Sequence, residues 1–132
     1  MALLTELSLA SAAPLAKRFN LDLRKIEPLT QGSVNSNFRL TDSAGKVYFA
    51  RLYEEQDHAG ALREHAVVAA LDDAGVPVVR ALQTEDGGSL TDFEGKAFAI
   101  FPWLDGEILC QASVTPQACV DLGAALARVH LC

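Results

Sequence analysis

The stretch QGSVNSNFRL, residues 31–40, decides how this chain can be interpreted. It places a Gly-Ser turn and two short amide side chains between two segments of strand-like sequence. Glycine at position 32 lets the backbone approach a ligand closely, and Ser33, Asn35 and Asn37 add short hydrogen-bonding groups to any exposed backbone amides. An ordinary polar turn has the same composition, so the stretch alone leaves both interpretations open.

The sequence that follows supplies a cation and an acid. Arg51 is a lone cation in the apolar and aromatic strand-like run of residues 47–53, and Glu64 lies in the next helix-like segment. Taken singly, Arg51 fits a strand position that faces solvent and Glu64 fits a solvated helix surface. Together they suit a phosphate-binding site, because a cation that binds phosphates requires an acid that orients and partly neutralises it. Gly32, Ser33, Asn35 and Asn37 beside this pair would form a receptacle for a nucleotide triphosphate.

Hydrophobic periodicity predicts an α+β fold with an antiparallel sheet and a long packed helix. Predicted helices are 8–19, 59–74 and 117–131, and predicted strands are 21–29, 37–41, 47–53 and 97–101, with two short strands around the turn 86–88. The long helix, 59–74, is predicted to bury one apolar face: Leu62, Ala66, Val67, Ala70 and Leu71.

The last predicted helix begins at a cap-then-proline signature, Thr115-Pro116. It has an apolar stripe, and no sequence follows in this chain that would bury it. We therefore expect the chain to be cut from a longer protein.

Composition excludes several function classes. The net charge of −6 argues against a nucleic-acid surface, which needs clustered Lys and Arg. The apolar runs are far shorter than the roughly 20 residues that cross a bilayer, and the amino terminus lacks the features of a signal peptide. Three cysteines without metal-ligand spacing, Cys110, Cys119 and Cys132, indicate reduced thiols and a cytoplasmic protein.

The remaining chemically interesting residues favour structural roles. Neither His65 nor His130 has a partner at metal-ligand spacing, and Trp103 is interpreted as a packed aromatic residue. The P-loop pattern is absent. A solvated loop is predicted for four polar residues: Glu54, Glu55, Asp57 and His58.

Several segments, in this order, resemble the amino-terminal lobe of the aminoglycoside phosphotransferase and choline kinase superfamily. They are GSVNSNF (32–38), YFARLYE (48–54), LRE (62–64) and AGVPV (74–78). The first of them is most similar to the bacterial homoserine kinases of that superfamily. In addition, FPWLDG (101–106) resembles the hinge, and residues 115–130 resemble the first helix after it.

The resemblance implies a protein-kinase-like fold that binds ATP and magnesium between two lobes. Residues 32–37 would cover the triphosphate, Arg51 would contact the α- and β-phosphates, and Glu64 would be its helix partner. The Pro102 carbonyl and the Leu104 amide would meet the adenine edge, with Phe101 guarding the pocket behind it. An arginine at position 51 departs from the lysine of many members; it keeps the charge but not the contacts of an ammonium group.

The resemblance also implies a domain organisation. Residues 1–100 would form the kinase-like lobe, 101–114 a hinge or linker, and 115–132 the first helix of a carboxyl-terminal lobe that is otherwise missing. The catalytic base and the metal-binding aspartate of the family belong to that lobe. No catalytic residue and no metal ligand are therefore assigned here, and we expect the 132-residue chain alone to be inactive.

Three hypotheses remain open at this point. The first is the nucleotide-binding lobe of an ATP-dependent kinase for a small alcohol, with homoserine as the best candidate. The second is a non-catalytic binding module, which would form a homodimer through the apolar face of helix 117–131. The third is an unrelated antiparallel α+β binding domain.

Overall fold

A computed structural model describes residues 4–132, which form one five-stranded antiparallel sheet and three helices. The strands are β1 Leu23–Leu29, β2 Ser36–Asp42, β3 Val47–Leu52, β4 Thr91–Phe93 and β5 Lys96–Pro102, in the spatial order β1-β2-β3-β5-β4. The helices are α1 Leu9–Lys17, α2 His58–Asp73 and α3 Pro116–Leu131. The predicted α+β class with an antiparallel sheet is confirmed.

The main core lies between α1 and one face of the sheet. Strands β2 and β3 alternate buried and less buried residues, so that every second side chain points toward α1. The fully buried side chains of this core include Leu40, Leu52, Phe98 and Ile100. Because side chains alternate between faces, the residues between them face the opposite side, where α2 lies.

Helix α2 begins after an aspartate cap, because the Asp57 carboxylate accepts a hydrogen bond from the Gly60 amide at 2.7 Å. The prediction of a solvated loop is confirmed for Asp57, which is exposed and also caps the helix, and is wrong for His58, which is the first residue of the helix. His58 also pairs with Asp92 across 3.2 Å.

The predicted buried face of the long helix is wrong. Leu62 and Val67 are 50% and 60% exposed, and Ala66 and Ala70 are exposed as well. The face that packs against the sheet contains Ala61, which clusters with Tyr53, Ala97 and Ala99, and His65, which lies against Phe101. Gly60 is buried by the preceding loop, and the larger apolar residues Leu62 and Val67 lie on the outside.

Of the two short strands predicted around the turn 86–88, the later one forms as β4, Thr91–Phe93, and the earlier one is wrong, because residues 81–85 are not a strand. That turn closes on itself, since the Thr84 amide donates to the Gly88 carbonyl at 2.8 Å. It also docks on the end of α1, where the Glu85 amide donates to the Arg18 carbonyl at 2.8 Å. The hairpin that does form joins β4 to β5 through Glu94-Gly95, later in the chain.

Helix α3 begins where the sequence predicts. The Thr115 hydroxyl accepts a hydrogen bond from the Ala118 amide at 3.1 Å, and Pro116 occupies the first turn. None of its residues is buried within the part of the chain that the structure describes. Among residues 4–132 no helix is long and apolar enough to span a membrane.

Candidate functional site

A cavity of about 500 Å³ opens on the face of the sheet that α1 does not cover. Its walls come from the sheet, from α2 and from the segment after β5. The lining residues are Leu29, Gln31, Phe49, Arg51, Glu64, His65, Val68, Val79, Ala81, Phe101, Pro102, Trp103, Leu104, Gly106 and Ile108.

The strand register explains why the charged and aromatic residues meet in this cavity. Strands β3 and β5 pair with Phe49 opposite Phe101 and with Arg51 opposite Ala99. Since side chains two residues apart share one face of a strand, Phe49, Arg51 and Phe101 all face the cavity. The structure therefore places the predicted cation and the predicted pocket aromatic on the same wall.

Arg51 and Glu64 also meet. The Arg51 Nη1 atom lies 3.7 Å from Oε1 of Glu64. The guanidinium stands over the rings of Phe49, Tyr53 and Phe101, with distances to the ring centroids of 5.5, 5.9 and 5.9 Å. With a side chain 31% exposed, Arg51 is held in the cavity wall yet keeps open access to it.

The glycine-containing loop lies beside this wall, although only Gln31 of it lines the cavity. Asn37 closes the loop, since its Nδ2 donates to the Gln31 carbonyl at 3.1 Å. Its Oδ1 lies 3.5 Å from Nε of Arg51, at the long limit of a hydrogen bond. Gly32 has φ +126°, and a Cβ there would lie 2.6 Å from Nδ2 of Asn37.

The other polar residues of the loop do not face the cavity in this structure. Ser33 is exposed, and the Asn35 side chain accepts a hydrogen bond from the Glu54 amide at 3.2 Å. Asn35 therefore ties the loop to the end of β3. That Gly32, Ser33, Asn35 and Asn37 cover a ligand stays a prediction.

The segment after β5 forms the opposite rim of the cavity. Phe101, Pro102 and Leu104, all predicted as ligand contacts, line it. The strand ends at Pro102, and residues 103–110 are neither helix nor strand. Trp103 is fixed by Arg39, whose guanidinium carbon lies 5.5 Å from the centre of the indole ring. The indole therefore packs as predicted and also lines the cavity.

Sequence reasoning missed a buried polar cluster behind Arg51. The Tyr53 hydroxyl lies 3.3 Å from Oε1 of Glu64 and 3.0 Å from Nε2 of His65. The other ring nitrogen of His65 lies 2.7 Å from the Ser89 hydroxyl. Burial, reinforced by the Glu64 charge, raises the pKa of Tyr53 to about 12. The signal that could have found Tyr53 is its position two residues after Arg51.

Burial also determines the protonation state of His65. Loss of solvent lowers its pKa, with Glu64 acting in the opposite direction and Arg51 in the same one. The imidazole is therefore neutral near pH 7. The buried position, with both ring nitrogens partnered, agrees with the structural role predicted for this histidine.

Glu54 is not part of a solvated loop, which corrects a further prediction. Its side chain is 4% exposed and pairs with Lys96. It also accepts hydrogen bonds from the Ser36 hydroxyl and from the Thr5 amide, the latter at 2.8 Å. Burial alone raises the pKa of Glu54, but the bonds from Lys96, Ser36 and Thr5 prevail and lower it to about 2. This cluster fastens the amino-terminal segment to the sheet.

The cavity fits a nucleotide better than it fits a metal ion. Apolar side chains such as Leu29, Val79 and Phe101 suit a flat base, and Arg51 offers a cation for phosphates. Within residues 4–132, no group of three or more His, Cys, Asp and Glu could hold a metal.

Comparison with known proteins agrees with this geometry. The model of the phosphotransferase enzyme family matches residues 25–132, well over half of the chain. This chain therefore belongs to the phosphotransferase enzyme family, and the predicted resemblance is confirmed.

Two of the curated proteins that this chain resembles are homoserine kinases. The homoserine kinase of Methylocella silvestris is 32% identical over 99% of this chain, which corresponds to 40% of that protein. A homoserine kinase of Burkholderia pseudomallei is also 32% identical over 99% of this chain and 39% of its own length. The chain thus spans about two-fifths of the length of the curated relatives it matches.

Two solved structures share the fold. A spectinomycin phosphotransferase, determined with ADP and spectinomycin, superimposes on 96% of this chain with a TM-score of 0.79 and 13% identity. An amicoumacin kinase, determined with AMP-PNP and Ca²⁺, superimposes on 89% with a TM-score of 0.71 and 20% identity. Each match covers 38% of the longer chain. The sheet and helices therefore have the architecture of a kinase-like amino-terminal lobe.

Proposed function

We propose that this chain is the nucleotide-binding lobe of an ATP-dependent small-molecule kinase that phosphorylates an alcohol, with homoserine as the best candidate. The observation that carries the proposal is the cavity in which the Arg51–Glu64 pair faces the rim Phe101–Leu104. The similarity to a homoserine kinase, 32% identity over 99% of this chain, supports the choice of homoserine as acceptor.

In the proposed complex the base lies between the apolar side chains of the sheet and the rim after β5. Phe101 would close the inner end, while the Pro102 carbonyl and the Leu104 amide would bond to the adenine edge. Arg51 would bind the α- and β-phosphates, because a partly exposed guanidinium offers several donors in a fixed geometry. Glu64 would hold that guanidinium in place. Gly32, Ser33, Asn35 and Asn37 would cover the triphosphate after the loop moves toward the cavity.

Phosphoryl transfer depends on positioning and on metal electrostatics, and magnesium would supply the latter when bound with ATP. We propose that its ligands and the catalytic base lie outside this chain. The two-fifths coverage of the relatives supports this division. Residues 1–100 would be the lobe, 101–114 the hinge and 115–132 the first helix beyond it. The 132-residue chain alone would bind nucleotide without transferring phosphate.

The exposed apolar side of α3 supports an alternative role. Leu122 and Leu126 on this helix are 71% and 52% exposed, and such a surface favours association. In a non-catalytic module, two copies would bury it in a homodimer. A sedimentation experiment separates the two ideas, because a chain that remains monomeric at high concentration excludes the dimer.

The kinase proposal is tested by an assay of phosphoryl transfer. The assay is run under reducing conditions, because the chain has three exposed free cysteines and we propose that the protein is cytoplasmic. The gene product that contains this chain is incubated with MgATP and homoserine under reducing conditions, and ADP release is measured. The 132-residue chain is measured in parallel. Homoserine-dependent ADP release by the gene product supports the kinase activity, and no ADP release by the 132-residue chain supports its inactivity when alone. No release with homoserine or any other small alcohol contradicts the kinase proposal.

A further inference from the structure

We propose that a directed hydrogen-bond chain, Ser89 to His65 to Tyr53 to Glu64, positions the Glu64 carboxylate that holds Arg51 in the cavity. The inference rests on the proposed function, because it gives these residues a role in nucleotide binding. Tyr53, His65 and Ser89 are positioning residues, because they would act on the ligand through Glu64 and Arg51 and not by contact with it.

The direction of this chain follows from what each group can donate. The Glu64 carboxylate accepts, so the Tyr53 hydroxyl donates its proton to Oε1 across 3.3 Å. The Tyr53 oxygen is then free to accept from Nε2–H of His65 across 3.0 Å. A neutral imidazole with its proton on Nε2 accepts at Nδ1, where the Ser89 hydroxyl donates across 2.7 Å.

The middle of this hydrogen-bond chain is shielded from water, and one end is the Glu64 oxygen that faces Arg51. Tyr53 is 1% exposed and His65 is 8% exposed, so solvent does not compete for the bond between them. The Oε1 atom that Tyr53 binds is the same atom that lies 3.7 Å from Nη1 of Arg51. Fixing this oxygen therefore fixes the acid end of the ion pair.

Helix α2 needs such a constraint because its hold on the sheet is slight. Among its described residues only Gly60, Ala61 and His65 are buried. The first two lie in the opening turn, so His65 is the buried anchor beside Glu64. Ser89 lies in the segment before β4, and the hydrogen-bond chain thus joins three parts of the fold at one carboxylate.

The first test needs no nucleotide. Nitrogen-15 NMR of the imidazole of His65 at pH 7 reports its tautomer, and we expect the proton on Nε2. The variant Ser89→Ala should shift this residue toward a mixture of tautomers. A wild-type His65 with its proton on Nδ1 overturns the proposal directly, whether or not the protein binds nucleotides.

The second test measures ADP affinity by the fluorescence of Trp103, the single tryptophan. Tyr53→Phe removes only the hydroxyl and should weaken ADP binding about fivefold, as expected for losing one positioning hydrogen bond. Tyr48→Phe is the matched control, since Tyr48 lies on β3, five residues before Tyr53, and its hydroxyl bonds to Asp42 at 3.3 Å, away from the cavity. It should leave ADP affinity unchanged.

The outcomes separate the two proposals. Wild-type protein that binds ADP while Tyr53→Phe and Tyr48→Phe both retain its affinity overturns the positioning role and leaves the nucleotide site standing. Wild-type protein that does not bind ADP overturns the proposed function, and the positioning role with it. Weaker binding by Tyr53→Phe alone, with the Nε2–H tautomer in the wild type, supports the hydrogen-bond chain.

Discussion

Replacing Glu54 by glutamine removes one negative charge from the cluster that holds the amino-terminal segment against the sheet. The glutamine has the same shape, but it leaves Lys96 without its ion-pair partner and weakens the bonds to Ser36 and Thr5. The side chain is 4% exposed, so water replaces little of what is lost.

The size of the effect follows from the pKa of Glu54, which folding lowers from 4.5 to about 2. That difference corresponds to about 3 kcal/mol of stability carried by the ionised carboxylate. Lys96 is partly exposed, which screens part of the pairing. We therefore expect Glu54→Gln to lower the free energy of unfolding by about 2–3 kcal/mol at pH 7.

The pH dependence has a definite sign. Because the folded pKa lies below the unfolded one, the contribution is complete above about pH 4.5 and is lost as the pH falls toward 2. Urea unfolding followed by circular dichroism at several pH values measures it. The gap between wild type and Glu54→Gln should be widest at neutral pH and should shrink below pH 4.5.

The neighbouring acid provides the control. Glu55 is exposed and makes no ion pair within residues 4–132, so Glu55→Gln should change stability by less than about 0.5 kcal/mol. Equal losses in the two variants, or a gap for Glu54→Gln that does not change with pH, would refute the reasoning about this cluster.

Three further predictions concern stability and are measured by the same unfolding assay. Gly32→Ala should cost about 1–2 kcal/mol, because residue 32 has φ +126° and a Cβ there would collide with Asn37; an unchanged stability would contradict this. Asp57→Ala should cost about 1 kcal/mol by removing the cap of α2, whereas Asp57→Asn should retain most of it; equal losses would argue against capping. Leu40→Ala should cost about 2–5 kcal/mol, and Leu62→Ala less than about 1, since the first is fully buried and the second half exposed; the reverse order would refute the assigned faces.

The strands and the helix that carries Glu64 are predictable because they depend on local alternation and periodicity. Arg51 lies two residues from Phe49 on one strand, so both face the same side. The place of Phe101 on the same wall depends on the register between β3 and β5, and only the family resemblance indicates it from the sequence.

The buried face of α2 could not be read from periodicity, because two sides of this helix carry apolar residues. Leu62 and Val67 form a stronger hydrophobic pattern than Ala61 and His65, which are the residues that pack. A count of large apolar side chains does not detect a contact made by an alanine and a histidine.

The burial of Glu54 could not be predicted for a different reason. Charged residues are rarely buried unless they are paired, so a glutamate next to other polar residues is expected in solvent. Its partner Lys96 belongs to β5 and lies far along the chain, and Thr5 comes from the opposite end. The Tyr53–His65 contact escaped notice for the same reason, since only the folded chain brings the two residues together.

The central claim is that the cavity beside Arg51 binds a nucleotide, and titration of the chain with ADP while Trp103 fluorescence is recorded tests it most directly. We expect saturable binding that Arg51→Gln weakens about 10-fold or more, because a charged phosphate contact is lost. Arg24→Gln, a change of the same kind at an exposed position on β1, should bind like the wild type. No saturable response of the wild type at millimolar ADP, or equal affinity for wild type and Arg51→Gln, would contradict the account.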